Sequence, residues 1–175
     1  MAVMAGTEDE EASTDAASLH DLYLAHHWSL VRLASLLLHD QAEAEEAVQD
    51  AFVKAYVRWD RLRQPDRALA YLRSAVLNGA RTRLRHVRVV ARTAPPRPGS
   101  TRSAEAAAIE SDDQRQMIEA LRRLPRRQAE CLALRYYVNL SEAEIATTLG
   151  ISTGSVKTHV HRGLAALATR LEPTS

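Results

Sequence analysis

The residues best suited to chemistry lie near the C-terminal end, where positions 141–162 read SEAEIATTLGISTGSVKTHVHR. Ser155, Lys157, Thr158, His159 and Arg162 offer hydroxyl, imidazole and cationic groups, which suit phosphate oxygens and base edges in a DNA groove. The positions around them say how they are held. Ser141 and Glu144 have the spacing of a capping box, in which each side chain satisfies the other's free backbone N–H. Ile145 and Leu149 recur one helical turn apart, Ala146 leaves room for a close crossing, and Gly150 permits the positive φ of a tight turn. Ile151 fills the angle, Ser152 can cap a second helix, and Val156 and Val160 face inward from it. This is the pattern of a helix-turn-helix whose recognition helix spans about 154–162. An ordinary helical hairpin would share the glycine and the apolar spacing, but not the basic, hydroxylic outer face.

Two further tracts carry concentrated charge. Arg81, Arg83, Arg85, Arg88, Arg92, Arg97 and Arg102 occupy a stretch without a single acid, as expected of a phosphate-binding surface. Asp40, Glu43, Glu45, Glu46 and Asp50 occupy a stretch without a positive charge, which is costly as mere surface but useful for docking on a basic partner. Tyr71 fits either stacking on an unpaired base or ordinary core packing. No arrangement of residues suggests catalysis. Cys131 lies in an apolar run and reads as a buried filler. The pairs His39-Asp40 and His26-His27 lack any metal-site spacing, so a helical metal-dependent hydrolase is only a remote alternative. We therefore expect no catalytic residue, no metal, no cofactor and no small-molecule substrate.

The elements that must position these residues are helices. The chain has 175 residues, 46% hydrophobic but only 5% aromatic, with abundant Ala, Leu and Arg and no alternating strand pattern. An all-α fold follows, built as two small helical domains. Residues 1–18 are acidic and small and read as a disordered tail. Residues 19–90 read as a helical bundle, broken at His39-Asp40, where Asp40 can cap the next helix, and again at Arg63-Gln64-Pro65-Asp66. Trp59 closes the second of its helices. Residues 91–112 contain Pro95, Pro96, Pro98 and Gly99 among Ser and Thr and read as a flexible linker. Residues 113–172 hold the helix-turn-helix, preceded by a helix that Pro125 opens. The single cysteine gives no support for an oxidising compartment, and no apolar run approaches the ~20 residues of a membrane span. A cytoplasmic protein without membrane contact is expected.

Read in order, three motifs resemble the extracytoplasmic-function sigma factors, the minimal two-domain subgroup of RNA polymerase sigma factors. DQAEAEEAVQDAFVKAY at 40–56 is similar to that family's polymerase-docking helix. YLRSAVLN at 71–78, with the arginines that follow, resembles its minus-ten recognition helix, and LPRRQ at 124–128 resembles the opening of its C-terminal domain. The sequence departs from the common pattern at Tyr71, often Trp, at Thr82, often Asp, and at His159, commonly Arg.

The resemblance implies a sigma factor that binds core RNA polymerase and directs promoter recognition, melting and transcription initiation. It implies polymerase binding through Asp40, Glu43, Glu45, Glu46, Gln49 and Asp50. DNA binding would fall to Arg61, Arg63, Tyr71, Arg73, Asn78, Arg81, Arg85 and Arg88 at the minus-ten element, and to the recognition helix at the minus-thirty-five element. Core RNA polymerase and promoter DNA are the expected partners, with room for an anti-sigma factor. The competing reading is a stand-alone helix-turn-helix regulator, which would bind a palindrome without polymerase.

Overall fold

The computed structural model describes residues 7–62, 64–93 and 111–171, and every element among them is helical. Helix α1 spans Thr7–Leu37, α2 Gln41–Val57, α3 Trp59–Leu62 and α4 Pro65–Thr93. After residues outside the description come α5 (Asp112–Arg122), α6 (Arg126–Leu132), a π-helical turn (Ala133–Tyr137), α7 (Glu142–Leu149) and α8 (Thr153–Leu171). Residues 7–18, expected within a disordered tail, instead form the first turns of α1. No Gly or Pro interrupts the sequence from Thr7 to Leu37, and its Ala and Leu favour continuation of the helix outward. Of the expected linker, 91–93 prolong α4 and 112 opens α5, while 94–110 lie outside the described residues.

Local chemistry sets the helix ends. Asp40 sits in extended conformation as N-cap of α2, its Oδ1 accepting from the N–H of Ala42 at 2.7 Å. Ser111 and Gln114 form a capping box on α5, and Ser141 and Glu144 form another on α7. Trp59, expected to close the second helix, opens the one-turn α3 beyond it.

Helices α1, α2 and α4 pack through small residues. Ala44, Val48, Ala51 and Ala55 of α2 meet Leu30 and Ala34 of α1, Leu38 just beyond its end, and Ala68, Leu72, Val76 and Ala80 of α4, all buried in one core. A second core joins α5 to α8 around Leu121, Leu124, Leu132, Leu134, Ile145, Leu149, Val156 and Leu167. That core also takes in Leu33, Leu37 and Leu77, which belong to α1 and α4. The two helical units therefore share an apolar boundary, which the hydrophobic pattern of either unit alone does not disclose.

Candidate nucleic-acid interface

The helix-turn-helix is built as its residues dictate. Ser141 Oγ accepts from the N–H of Glu144, and Glu144 Oε2 accepts from the N–H of Ser141 at 2.8 Å. The Ser141 hydroxyl also donates to Glu144 Oε2, at 2.7 Å, and this bond, followed by that from the Ser141 N–H, holds the Glu144 carboxyl below its usual range, with a smaller contribution from the nearby Arg73 guanidinium. Ile145 and Leu149 are buried, and Gly150 closes α7 with φ 64° and ψ 41°, the left-handed conformation that glycine adopts without steric cost. Ser152 Oγ accepts from the N–H of Ser155 at 3.1 Å and so caps α8. Val156 is fully buried, which turns the opposite face of α8 outward. Lys157, Thr158 and Arg162 on that face are exposed, and Ser155 and His159 are half-buried beside them. Lys157 Nζ lies 3.7 Å from Glu142 across the turn, an exposed pair that DNA could displace at little cost.

The close approach of α6 and α8 explains Gly163, which is buried. A Cβ there would lie 2.8 Å from Leu132 Cδ1 and 3.3 Å from Gln128 Cβ.

The acidic residues of α2 remain largely available. Glu46, Gln49 and Asp50 are exposed, Glu43 and Glu45 are half-buried, and Asp40 is engaged in capping. Arg83 of α4 reaches across to Asp50 and Glu46, so part of this charge is balanced within the fold.

The expected minus-ten residues divide into two groups. Arg61, Asn78, Arg85 and Arg88 are exposed, and Arg63 lies outside the described residues. Tyr71 packs against the first core, with the Arg58 guanidinium 5.8 Å from its ring centroid. Arg73 is half-buried, and burial lowers its guanidinium from the usual value, partly countered by the Glu144 carboxylate. Arg81 is engaged most of all. Its Nε and Nη2 donate to Glu130 Oε1 and Oε2 at 2.5 and 2.7 Å, and its Nη1 donates to Asn78 Oδ1 at 2.6 Å.

Sequence reasoning missed Glu130 and Arg122. Glu130 is fully buried on α6 among Ala129, Cys131 and Leu132, a lone charge in an apolar run that requires a buried cation as partner. Arg127 provides a second, at 3.2 Å. Arg122 of α5 donates from Nη2 to the carbonyls of Ser35 and Leu38, at 2.5 and 2.8 Å, closing the end of α1. Its position in sequence gave no sign of this. His39 stands 3.9 Å from Glu119, and among the described residues no three His, Cys, Asp or Glu side chains gather as a metal site would need.

Residues 22–89 match the family described as Sigma-70 region 2, and residues 114–167 match Sigma-70, region 4. An RNA polymerase sigma-E factor of Streptomyces avermitilis is 32% identical over 144 residues, covering 82% of this chain and 79% of the relative. The ECF RNA polymerase sigma factor SigL of Mycobacterium tuberculosis is 32% identical over 168 residues, covering 92% and 93%. The chain belongs to the extracytoplasmic-function sigma factors. The fold of this sigma factor is similar to that of CnrH, solved with the cytosolic domain of CnrY, at a TM-score of 0.69 and 25% identity over 95% of this chain and 96% of that one. It is also similar to the sigma factor RpoE of Bartonella quintana, solved with the anti-sigma factor NepR, at a TM-score of 0.70 and 23% identity over 87% and 96%. Region 2 of the sigma factor thus holds α2 and most of α4, and region 4 holds the helix-turn-helix.

Proposed function

We propose that this sigma factor docks on core RNA polymerase through the acidic face of α2 and reads the minus-ten element with α3 and α4. In this reading α8 reads the minus-thirty-five element with Ser155, Lys157, Thr158, His159 and Arg162. The observation that carries it is the coincidence of chemistry with family. The exposed acidic helix falls inside the region 2 match, and the exposed basic recognition face falls inside the region 4 match. Charge complementarity on α2 speeds and orients docking, while the arginines of α4 supply affinity that does not depend on sequence. Two weak DNA readers on one scaffold gain from effective concentration, so promoter recognition becomes conditional on polymerase. The chain contributes binding and orientation, and the phosphodiester chemistry belongs to the polymerase. No helix among the described residues is long and apolar enough to cross a membrane.

Binding to core polymerase by the wild type and by Glu45→Lys/Glu46→Lys, followed by promoter-directed runoff transcription, tests this reading. Saturable core binding, weakened about tenfold by the charge reversal, together with new start sites, is the expected result. Tight binding to a palindrome by the protein alone, without core binding, would overturn it in favour of a stand-alone regulator.

A further inference from the structure

We propose that Arg58 is a further DNA contact of the minus-ten reader, forming with Tyr71 a clamp that holds one unpaired nucleobase between a guanidinium and a phenol ring. The inference rests on the assignment of α3 and α4 to minus-ten reading made above. Both jaws suit the same ligand. An unpaired base offers a π-face on each side, and aromatic rings and arginine planes alike stack on it. The two jaws already face each other, with the Arg58 guanidinium over the Tyr71 ring at 5.8 Å from its centroid.

The fold roots each jaw. Tyr71 of α4 packs against the first core, which fixes the ring from behind. Arg58 is the C-cap of α2, and its N–H donates to the carbonyls of Ala55 and Tyr56. Its backbone is therefore held, while its side chain is exposed and able to change rotamer. Other arginines of the region are committed to acids, Arg83 to Asp50 and Glu46, and Arg81 to Glu130. Arg58 faces a ring instead. The charge around the clamp favours a nucleic-acid strand. Residues 58–67 hold Arg58, Arg61, Arg63 and Arg67 against Asp60 and Asp66. Arg61, one turn beyond Arg58, and Arg67, one turn before Tyr71, are exposed, so the phosphates flanking a held base would meet cations.

The spacing of the jaws fits a base. A guanidinium laid flat on the centre of the ring would stand ~3.5–4.0 Å away, the distance of carbon atoms in contact. At 5.8 Å the Arg58 guanidinium leaves the centre of the ring uncovered. A base between the jaws needs roughly 7 Å, two stacking layers of ~3.4 Å each. A rotamer change of Arg58 supplies the remainder. A paired base cannot enter, because its neighbours in the duplex cover both of its faces. The clamp therefore favours strand separation. It holds a face and reads no edge, so it tolerates any of the four bases and leaves sequence choice to other residues.

The test uses holoenzyme, reconstituted from core RNA polymerase and the full chain, with two fluorescein-labelled single-stranded DNA 15-mers read by anisotropy. One has mixed sequence. The other is abasic at every position, so it keeps the phosphates and lacks the bases. Core polymerase alone sets the background for both. Arg58→Gln removes the guanidinium jaw from an exposed position, and Arg58→Lys keeps its charge without its plane. Circular dichroism checks helicity. Arg58→Gln should weaken binding of the mixed 15-mer on the order of tenfold and of the abasic 15-mer by no more than about twofold. Arg58→Lys should stay close to Arg58→Gln on the mixed 15-mer. Equal losses on the two oligonucleotides, or full recovery by Arg58→Lys, would mean a phosphate contact and overturn the clamp. Unchanged affinity in Arg58→Gln would overturn it too, and a loss in Arg85→Gln/Arg88→Gln would then leave α4 standing as a DNA reader. A mixed 15-mer bound no better by holoenzyme than by core alone would overturn this inference and the minus-ten assignment together.

Discussion

The Arg83 guanidinium of α4 lies 2.9 Å from the Asp50 carboxylate of α2, joining the basic cluster to the acidic docking helix within one domain. Glu46 stands 3.7 Å from the same guanidinium. Both carboxylates are more than half exposed, at 69% for Glu46 and 56% for Asp50, so the pair adds little to stability. Its larger effect is on the field that α2 presents. Arg83→Ala should change the melting temperature by no more than ~3 °C, the equivalent of under about 0.5 kcal/mol. It should also make core polymerase binding faster at low salt and more sensitive to ionic strength. Association rates against salt concentration, by stopped flow, would check this, and an unchanged salt slope would count against α2 as the docking face.

Gly79 and Gly163 both lie inside helices, yet the same substitution should move stability in opposite directions. A Cβ at Gly79 would meet Arg83 Nη1 at 3.4 Å and Ala47 Cβ at 3.5 Å, ordinary contact distances. Gly79→Ala should therefore gain roughly 0.5–1 kcal/mol of helix propensity. At Gly163 the nearest atoms are Leu132 Cδ1 at 2.8 Å and Cγ at 3.2 Å, and Leu132 is too deeply buried to move aside freely. Overpacking there, at about 1–3 kcal/mol, outweighs the propensity gain, and Gly163→Ala should lose on the order of 1 kcal/mol. Chemical denaturation of both variants gives the two signs directly.

Cys131 should be inert in the folded protein. Burial pushes its thiol up to about 11, Glu130 adds to the shift, and Arg127 opposes it. The thiolate at pH 7 is then roughly one part in ten thousand. Iodoacetamide labelling should follow unfolding, rising with denaturant along the loss of helicity. Rapid labelling under native conditions would mean that the second core opens far more readily than its packing implies.

The capping box of α7 should give stability a measurable acid limb. Glu144 has a folded pKa below its unfolded value, chiefly through its bonds to Ser141. Such a group adds stability that is complete above the unfolded value of about 4.3 and is lost as pH falls through the folded value. Glu144→Gln keeps an acceptor for the Ser141 N–H but has no proton to gain. Melting temperatures between pH 6 and pH 2 should therefore fall more steeply for the wild type than for the variant. Parallel curves would show that the box contributes nothing through its charge.

Local rules exposed most of the helix-turn-helix in advance. Ser141, Glu144, Gly150, Ser152 and Val156 act within a few residues of themselves, and capping, handedness and periodicity are short-range effects. Asp40 as a helix cap was legible for the same reason. What stayed hidden depends on distant chain segments. Glu130 is an obvious anomaly in an apolar run, yet nothing in its neighbourhood names Arg81, 49 residues away, as its partner. Arg122 bonds to backbone carbonyls of Ser35 and Leu38, atoms that every residue carries and that no motif can mark. The π-helical turn at Ala133–Tyr137 was hidden too, since the same residues read as ordinary helix. The N-terminal boundary was misread because charge suggested disorder where unbroken helix formers continued α1.

The turn between the two helices of the DNA reader constrains stereochemistry and leaves size free. Gly150 adopts φ 64°, yet no atom beyond its own chain neighbours lies within 4 Å of the place its Cβ would take. An L-alanine meets only the intrinsic penalty of its own chirality there, roughly 1–2 kcal/mol. A D-alanine, introduced by chemical ligation, would find that conformation natural and would stiffen the unfolded chain relative to glycine. The mirror-image residue should thus stabilise the motif beyond the native one, leaving the position open to any bulk of the correct hand.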